Sequence, residues 1–549
     1  MKIKKVDIQN YKSIQDLEFF PSPKLNVFIG ENSVGKSNIL DAIYWSLGPV
    51  FPSFNSTMTK DHYQGINENL ISISLNFDDG NTLLLAEKWY DSYGHEKCGL
   101  SLNNYYINTE YRQKYCSAYL DIKRNIVDYL PSNRWSLLGR FLLDVNAKFM
   151  KESIELDGGV SQLKSERLVS ELTRIRDELL FSVSDESGNH ILPEFLSHIS
   201  KECARQLNRD PDEFKLDMNI YDPWNFYKTL QILVNDPEVG LDFQASTMGM
   251  GIQASLSIAI LKAYSKLKLA NNTPLFIDEP ELFLHPQAQR NFYNILTELA
   301  DSGTQIFLTT HSASFVNLAK FNQIFLVKKN SEKGTYVRTA NPENFVKDLK
   351  IRRNIDTNQS ELMETYNYAY DNTGDSQKAN EAFFAKKIIL VEGESESLIL
   401  PYFFKLINFD YIAENISIVR CGGKSELDRF YRLYSEFGIP CFIIFDGDAQ
   451  NTDPQERSDT IMKNKAILSM FGCDDDYPSG STKKNYLGFV NSLESNLNIS
   501  PTPSAKGLRL YKLVKTKIQN AEDVPKWAKD VIDRLKDMSL EAPSILKRE

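Results

Sequence analysis

Gly30-Glu31-Asn32-Ser33-Val34-Gly35-Lys36-Ser37 constrains this chain more than any other stretch. It has the G-x-x-x-x-G-K-S spacing of a phosphate-binding loop, which works only between a strand and a helix. The apolar run Lys24–Ile29 before it reads as that strand, and Asn38–Ile43 after it has helical spacing. In this setting Gly30 and Gly35 let backbone N–H groups cradle phosphates, Lys36 reaches the β and γ oxygens, and Ser37 ligates Mg²⁺. The chain is therefore expected to be α/β and to bind ATP with Mg²⁺.

Two later strands complete that expectation. Pro274–Ile277 ends on Asp278-Glu279-Pro280-Glu281. Asp278 would hold the Mg²⁺ shell and Glu279 would orient or activate the attacking water. Gln305–Thr310 ends on His311-Ser312. A histidine at a strand's carboxyl edge can sense a γ-phosphate, although a lone histidine is more often structural.

A second acidic constellation lies downstream. The polar stretch Asn330–Gly374, containing a helical pattern at Val346–Ile355, reads as a linker. After it, the apolar runs Lys387–Val391, Ile416–Val419 and Pro440–Phe445 alternate with helical segments Glu396–Leu406 and Lys424–Phe437. That alternation predicts a parallel sheet, with chemistry gathered at the carboxyl ends of its strands. Glu392, Gly422-Gly423, Asp446 and Asp448 fall there. Carboxylates so placed repel one another without a cation, which favours Mg²⁺ or Mn²⁺. Two such ions about 4 Å apart could polarise a phosphate and generate hydroxide. Glu396, one turn past Glu392, is either a further ligand or a solvated helix charge. Glu494 is either an extra ligand or a surface charge. Lys506, opening a basic segment through Arg509, Lys512, Lys515 and Lys517, either stabilises charge on phosphate or is a surface charge.

Composition narrows the class. A chain of 549 residues, 42% hydrophobic and 25% charged, suits two to four ordinary domains. No apolar 18-mer occurs and Met1–Lys5 lacks a signal-peptide pattern, so a cytoplasmic protein without membrane segments is expected. The six cysteines form no C-x-x-C pair, against a zinc ribbon or a disulfide framework. A net charge of −10 rules out a generally basic coat but not a local DNA-binding groove.

The order of these motifs resembles the ABC-type ATPases of the SMC/RecF group. Ile8–Ile14 is similar to that group's opening strand and turn, and Asn32 stands where its loop carries asparagine. Gly249-Met250-Gly251-Ile252-Gln253 resembles its signature motif, which in the family contacts the nucleotide of a second ATPase domain. The resemblance implies nucleotide contacts for Gly249, Gly251 and Gln253; otherwise this is a glycine turn before the apolar helix Ala254–Leu261. Met250 stands where a serine is common, which implies slow turnover. Gln64 is either a Q-loop residue or part of a plain loop.

Glu392 with Asp446-x-Asp448 resembles the Toprim fold, and ATPase plus Toprim together resemble the OLD (overcoming lysogenization defect) family over nearly the whole chain. That resemblance implies an ATP-regulated, metal-dependent DNA endonuclease of antiphage defence. Family members act alone, beside a helicase, or with a retron reverse transcriptase and its RNA–DNA product, and assemble as dimers or larger. The implied domains are an ATPase N-terminal lobe (1–90), a mainly helical insertion serving dimerisation (91–235), an ATPase C-terminal lobe (236–340), a linker (341–380) and a Toprim domain with a helical extension (381–549). Within the insertion, Ile154–Ser184 and Leu192–Leu207 read as helical, and Leu216–Tyr221 and Phe226–Val234 as strand-like. The competing functions are a Toprim topoisomerase or primase and an ATP-gated DNA-binding or repair protein of SMC/RecF type. No tyrosine region for strand passage and no zinc module for priming is recognisable.

Overall fold

In the computed structural model the chain opens on an antiparallel pair, β1 (Ile3–Tyr11) and β2 (Ile14–Phe19). Val6, Ile8, Leu17 and Phe19 turn inward and alternate with polar positions, the period-2 pattern of a sheet wetted on one face. β3 (Leu25–Ile29) is buried at every position, as befits a strand covered on both faces. The P-loop and α1 (Lys36–Leu47) follow it. Described residues exclude 49–50, 108–114, 116, 122–136, 157–159, 208–209, 211–232, 237–239, 245–246, 250–251, 254–255, 257–258, 261–262, 264–273, 283, 500–505 and 542–549.

The sheet continues through β4 (Ser72–Phe77), β5 (Thr82–Tyr90), β6 (Glu96–Leu102), β7 (Tyr105–Tyr106) and β8 (Ala118–Asp121). It resumes with β9 (Leu275–Asp278), α2 (Pro286–Asp301), β10 (Ile306–Thr309), β11 (Ile324–Asn330) and β12 (Gly334–Arg338). All twelve strands form one sheet in the order β7-β6-β5-β4-β1-β2-β12-β11-β3-β10-β9-β8. From β11 to β8 every pairing is parallel, so β3, β10 and β9 present their carboxyl ends together. Stacked rings of Phe28, Phe276, Phe307 and Phe325 fill the core beneath.

The boundaries differ from those read off the sequence. Residues 96–121 supply three strands of the ATPase sheet, and the second compact unit is Ile122–Asn271. β6 begins with three exposed residues, so it carries no clear apolar alternation. The second unit contains helices Leu137–Phe149, Lys164–Ile175 and Ile191–Leu207. It also contains hairpins pairing Ser153–Leu156 with Val160–Leu163 and Leu233–Asp236 with Leu241–Gln244. Ile154–Ser184 is therefore strand before it is helix. Leu216–Tyr221 and most of Phe226–Val234 and Ala254–Leu261 lie outside the described residues.

The supposed linker is structured. Asn330–Arg338 belongs to β11, its turn and β12, and three helices follow: α3 (Pro342–Arg353), α4 (Gln359–Asn372) and α5 (Ser376–Glu381). Asn341, Asn358 and Asp375 accept backbone N–H groups at their N-termini, so part of the polar composition is capping. Phe345 and Tyr366 are buried against Phe321, in the 3₁₀ segment Leu318–Gln323 that leads into β11.

The last domain is a four-stranded parallel sheet. It comprises β13 (Lys387–Val391), α6 (Glu394–Leu406), β14 (Ile416–Arg420), α7 (Lys424–Glu436), β15 (Cys441–Asp446), α8 (Pro454–Leu468) and β16 (Tyr486–Phe489). Strand order is β14-β13-β15-β16, which puts the Glu392 and Asp446 strands side by side. Helices α9 (Lys506–Lys517) and α10 (Lys526–Asp537) cover α6 through Leu510, Val514, Val531 and Leu535. Among the described residues no helix is long and apolar enough to cross a membrane.

Candidate nucleotide site and acidic centre

The P-loop is set by its neighbours as well as its own glycines. Gly35 has a left-handed φ of 107°, and a Cβ there would collide with Thr335 Oγ1 on β12. That hydroxyl donates to the Val34 carbonyl at 2.7 Å and lies 2.8 Å from Ser13 Oγ, which accepts from Asn38 Nδ2 at 2.7 Å. Lys36 folds back into the loop, donating to the Gly30 and Glu31 carbonyls at 3.0 and 2.9 Å. Burial lowers its ammonium to about 8, against the pull of Glu279, Glu281 and Asp278. Asn32 is exposed on the loop.

Ser37 Oγ donates to Asp278 Oδ1 at 3.1 Å, and Thr309 Oγ1 bonds the same carboxylate. Glu279 has a left-handed φ of 46°, and its Oε1 stands 3.7 Å from His311 Nε2. Glu281 holds the far side: it accepts from Thr310 Oγ1 at 2.8 Å and from the His311 backbone N–H at 2.5 Å. Lys36, Ser37, Asp278, Glu279 and His311 are thus brought together at the carboxyl edge of the sheet. Gly249 and Gln253 belong to the second unit, where Ile252 and Gln253 N–H groups bond the Gly249 carbonyl and Gln253 Nε2 bonds the Met248 carbonyl at 2.7 Å. Met250 and Gly251 lie outside the described residues. Gln64 is exposed on a short 3₁₀ turn.

The acidic centre assembles at the ends of β13 and β15. Glu392 Oε2 accepts the Asp446 N–H at 3.3 Å, and Asp446 Oδ1 accepts the Leu493 N–H at 2.9 Å. Glu396 Oε2 caps its own helix through the Gly393 N–H at 3.1 Å. At 5% and 2% exposure, Glu396 and Glu494 are neither a solvated helix charge nor a surface charge. Gly447 permits the turn: a Cβ there would lie 2.5 Å from the Phe489 and Val490 carbonyls. It delivers Asp448, with a left-handed φ of 51° and a side chain 35% exposed, to the open side. The Lys506 side chain lies outside the described residues, and the next residue of α9, Gly507, packs against the Glu394 side chain.

Electrostatically the cluster holds more negative charge than its surroundings tolerate. Burial pushes the Glu392 carboxyl up to about 7, against the pull of Lys424. Burial, then the charges of Glu396, Glu392, Asp448 and Glu494, holds Asp446 well above the ordinary carboxylate range. An all-oxygen donor set of this kind fits a hard divalent cation. Its arrangement is open, however. Among the described residues no three His, Cys, Asp or Glu side chains converge tightly enough to hold one ion; the carboxylates accept from backbone N–H groups and from Lys424 instead.

Comparison with known proteins agrees with this division. The family described as "AAA domain, putative AbiEii toxin, Type IV TA system" matches residues 25–317, more than half of the chain. The family described as "Overcoming lysogenization defect protein-like, TOPRIM domain" matches residues 383–448. The OLD nuclease of Thermus scotoductus is 26% identical over 94% of this chain and 95% of its own length. The Old nuclease of Escherichia phage P2 is 23% identical over 98% and 90% respectively. The chain belongs to the AAA domain family, and its residues 383–448 are similar to the OLD-like Toprim domain.

The sequence reading missed several residues that shape the two centres. Thr309, Glu281 and Thr335 order the ATPase site, and Lys424 sits on Asp448 with its Nζ 2.6 Å from Oδ2. Gly422-Gly423 was the available signal for Lys424, since that turn opens α7 at the carboxyl end of β14.

Proposed function

We propose that this chain is an ATP-regulated, divalent-metal-dependent DNA endonuclease of the OLD family. One observation supports the reading most: half-buried Glu392 and Asp446, with Asp448 at the open edge, occupy adjacent strand ends in the same compact unit as a complete P-loop. The relatives named as nucleases favour it as well. Glu392, Asp446 and Asp448, backed by Glu396 and Glu494, would hold one or two divalent ions, which when bound polarise a phosphodiester and supply hydroxide. Lys506 would offset charge on the phosphate from the start of α9.

In the ATPase half Lys36 would leave its loop carbonyls for the β and γ phosphates, Ser37 and Asp278 would hold Mg²⁺, and Glu279 would position water under His311. Gly249, Gly251 and Gln253 would contact the nucleotide of a second copy, so the working form is a homo-oligomer. Met250 in place of serine favours slow turnover and a long-lived ATP-bound state that restrains cleavage. Antiphage defence is the biological role this combination suits. Supercoiled plasmid tests the reaction class: nicked or linear products support a nuclease. A relaxed ladder would indicate strand passage, and retention without covalent change would indicate a DNA-binding protein of SMC/RecF type.

A further inference from the structure

We propose, resting on the metal-dependent reading above, that Lys424 is the resident cation of the acidic centre and competes with a divalent ion for Asp448. Lys424 is the first residue of α7, delivered by the Gly422-Gly423 turn at the end of β14. It is 5% exposed, and its Nζ lies 2.6 Å from Asp448 Oδ2. A buried ammonium is costly unless paired, and five carboxylates around one crevice are costly without a cation; each offsets the other.

A divalent ion bound to the Asp448 carboxylate at about 2.0–2.6 Å would stand within a few ångströms of the ammonium on Oδ2, and the two cations repel. Metal loading at Asp448 is therefore opposed by the lysine until its ammonium moves aside. The backbone of α7 is anchored for such a move. Arg432 on the same helix is buried between Asp348 and Asp428, and Arg352 and Arg353 of α3 reach Asp428 at 3.1 and 3.0 Å. With the helix fixed, the move falls to the flexible four-carbon stem of the lysine. Lys424 is thus a positioning residue: it keeps the metal-free carboxylates apart and sets how readily the centre takes an ion.

The test is Mn²⁺ binding by titration calorimetry on the full-length protein, with thermal melts in EDTA. Lys424→Met should bind Mn²⁺ about tenfold tighter than wild type, because no ammonium has to be displaced. It should melt lower than wild type in EDTA and recover with Mn²⁺. Lys424→Arg, which keeps the cation, should stay near wild type and guards against a Met variant that fails to fold. In an Asp448→Asn background the Lys424→Met gain should vanish. Mn²⁺ affinity unchanged or weaker in Lys424→Met, with wild-type affinity intact, would overturn the inference. Wild type that takes up no Mn²⁺ would overturn the metal-dependent reading itself, and the inference with it.

Discussion

Lys328, at the end of the buried part of β11, donates its ammonium to the Gly438 carbonyl at 2.9 Å, and so ties the ATPase sheet to the turn that leads into β15. Beside it Tyr336 of β12 donates to Glu541 Oε1 at 2.6 Å, and Thr335 holds the P-loop through Val34. These contacts flank a cavity of about 470 Å³ lined by Gly30, Glu31, Lys328, Tyr336, Phe383 and Glu541. The strand carrying Asp446 is thereby connected to the strands that shape the phosphate loop. A two-state element biased at both ends is what coupling between the sites requires.

Lys328→Met and Tyr336→Phe should leave ATP binding and metal-dependent cleavage in place while uncoupling them. ATP should then change the cleavage rate by less than about fivefold, the low end of ordinary allosteric coupling. Plasmid cleavage across an ATP titration at constant free Mg²⁺ measures this. A double variant that responds to ATP as wild type does would exclude this route.

Lys36→Ala should weaken ATP binding by about 1.5–3 kcal/mol, the contribution of a charge-assisted contact. Glu279→Gln should retain ATP and slow its hydrolysis, because Ser37 and Asp278 are untouched. Calorimetry and phosphate release separate the two. Normal binding and hydrolysis in both variants would contradict the nucleotide site.

Asp428→Asn should destabilise the fold by about 3–5 kcal/mol, since Arg352, Arg353 and Arg432 lose a shared buried counter-charge and only Asp348 remains beside Arg352 and Arg432. Burial pushes the Asp428 carboxyl up, but Arg432, Arg352 and Arg353 together hold it below its ordinary value. A depressed folded-state value means stability present above the unfolded carboxylate range and lost as pH falls through the folded value. Melting temperatures between pH 7 and pH 3 should therefore fall more steeply for wild type than for Asp428→Asn. Parallel acid profiles would sink the assignment.

What could be read in advance follows from locality. Lys24–Ile29, Pro274–Ile277 and Lys387–Val391 are apolar runs with the chemistry in the residues just after them, and each forms a buried strand in the fold. β16 was not legible, because Tyr486–Phe489 is four residues long and follows a polar loop. The linker helices were hidden by their own caps and exposed faces. Thr335 was invisible for another reason: its partner Val34 lies 301 positions away, so no local pattern marks it, whereas Lys424 was marked only by the Gly422-Gly423 turn before it.

The most direct measurement is cleavage of supercoiled plasmid by the full-length protein and by Asp446→Ala, in Mn²⁺, in Mg²⁺ and in EDTA. Wild type should nick or linearise the plasmid with either metal and stop in EDTA. Asp446→Ala should lose cleavage and still bind ATP, because the lost carboxylate stands on β15 and not in the ATPase sheet. Cleavage that persists in EDTA, or undiminished cleavage by Asp446→Ala, would contradict the account.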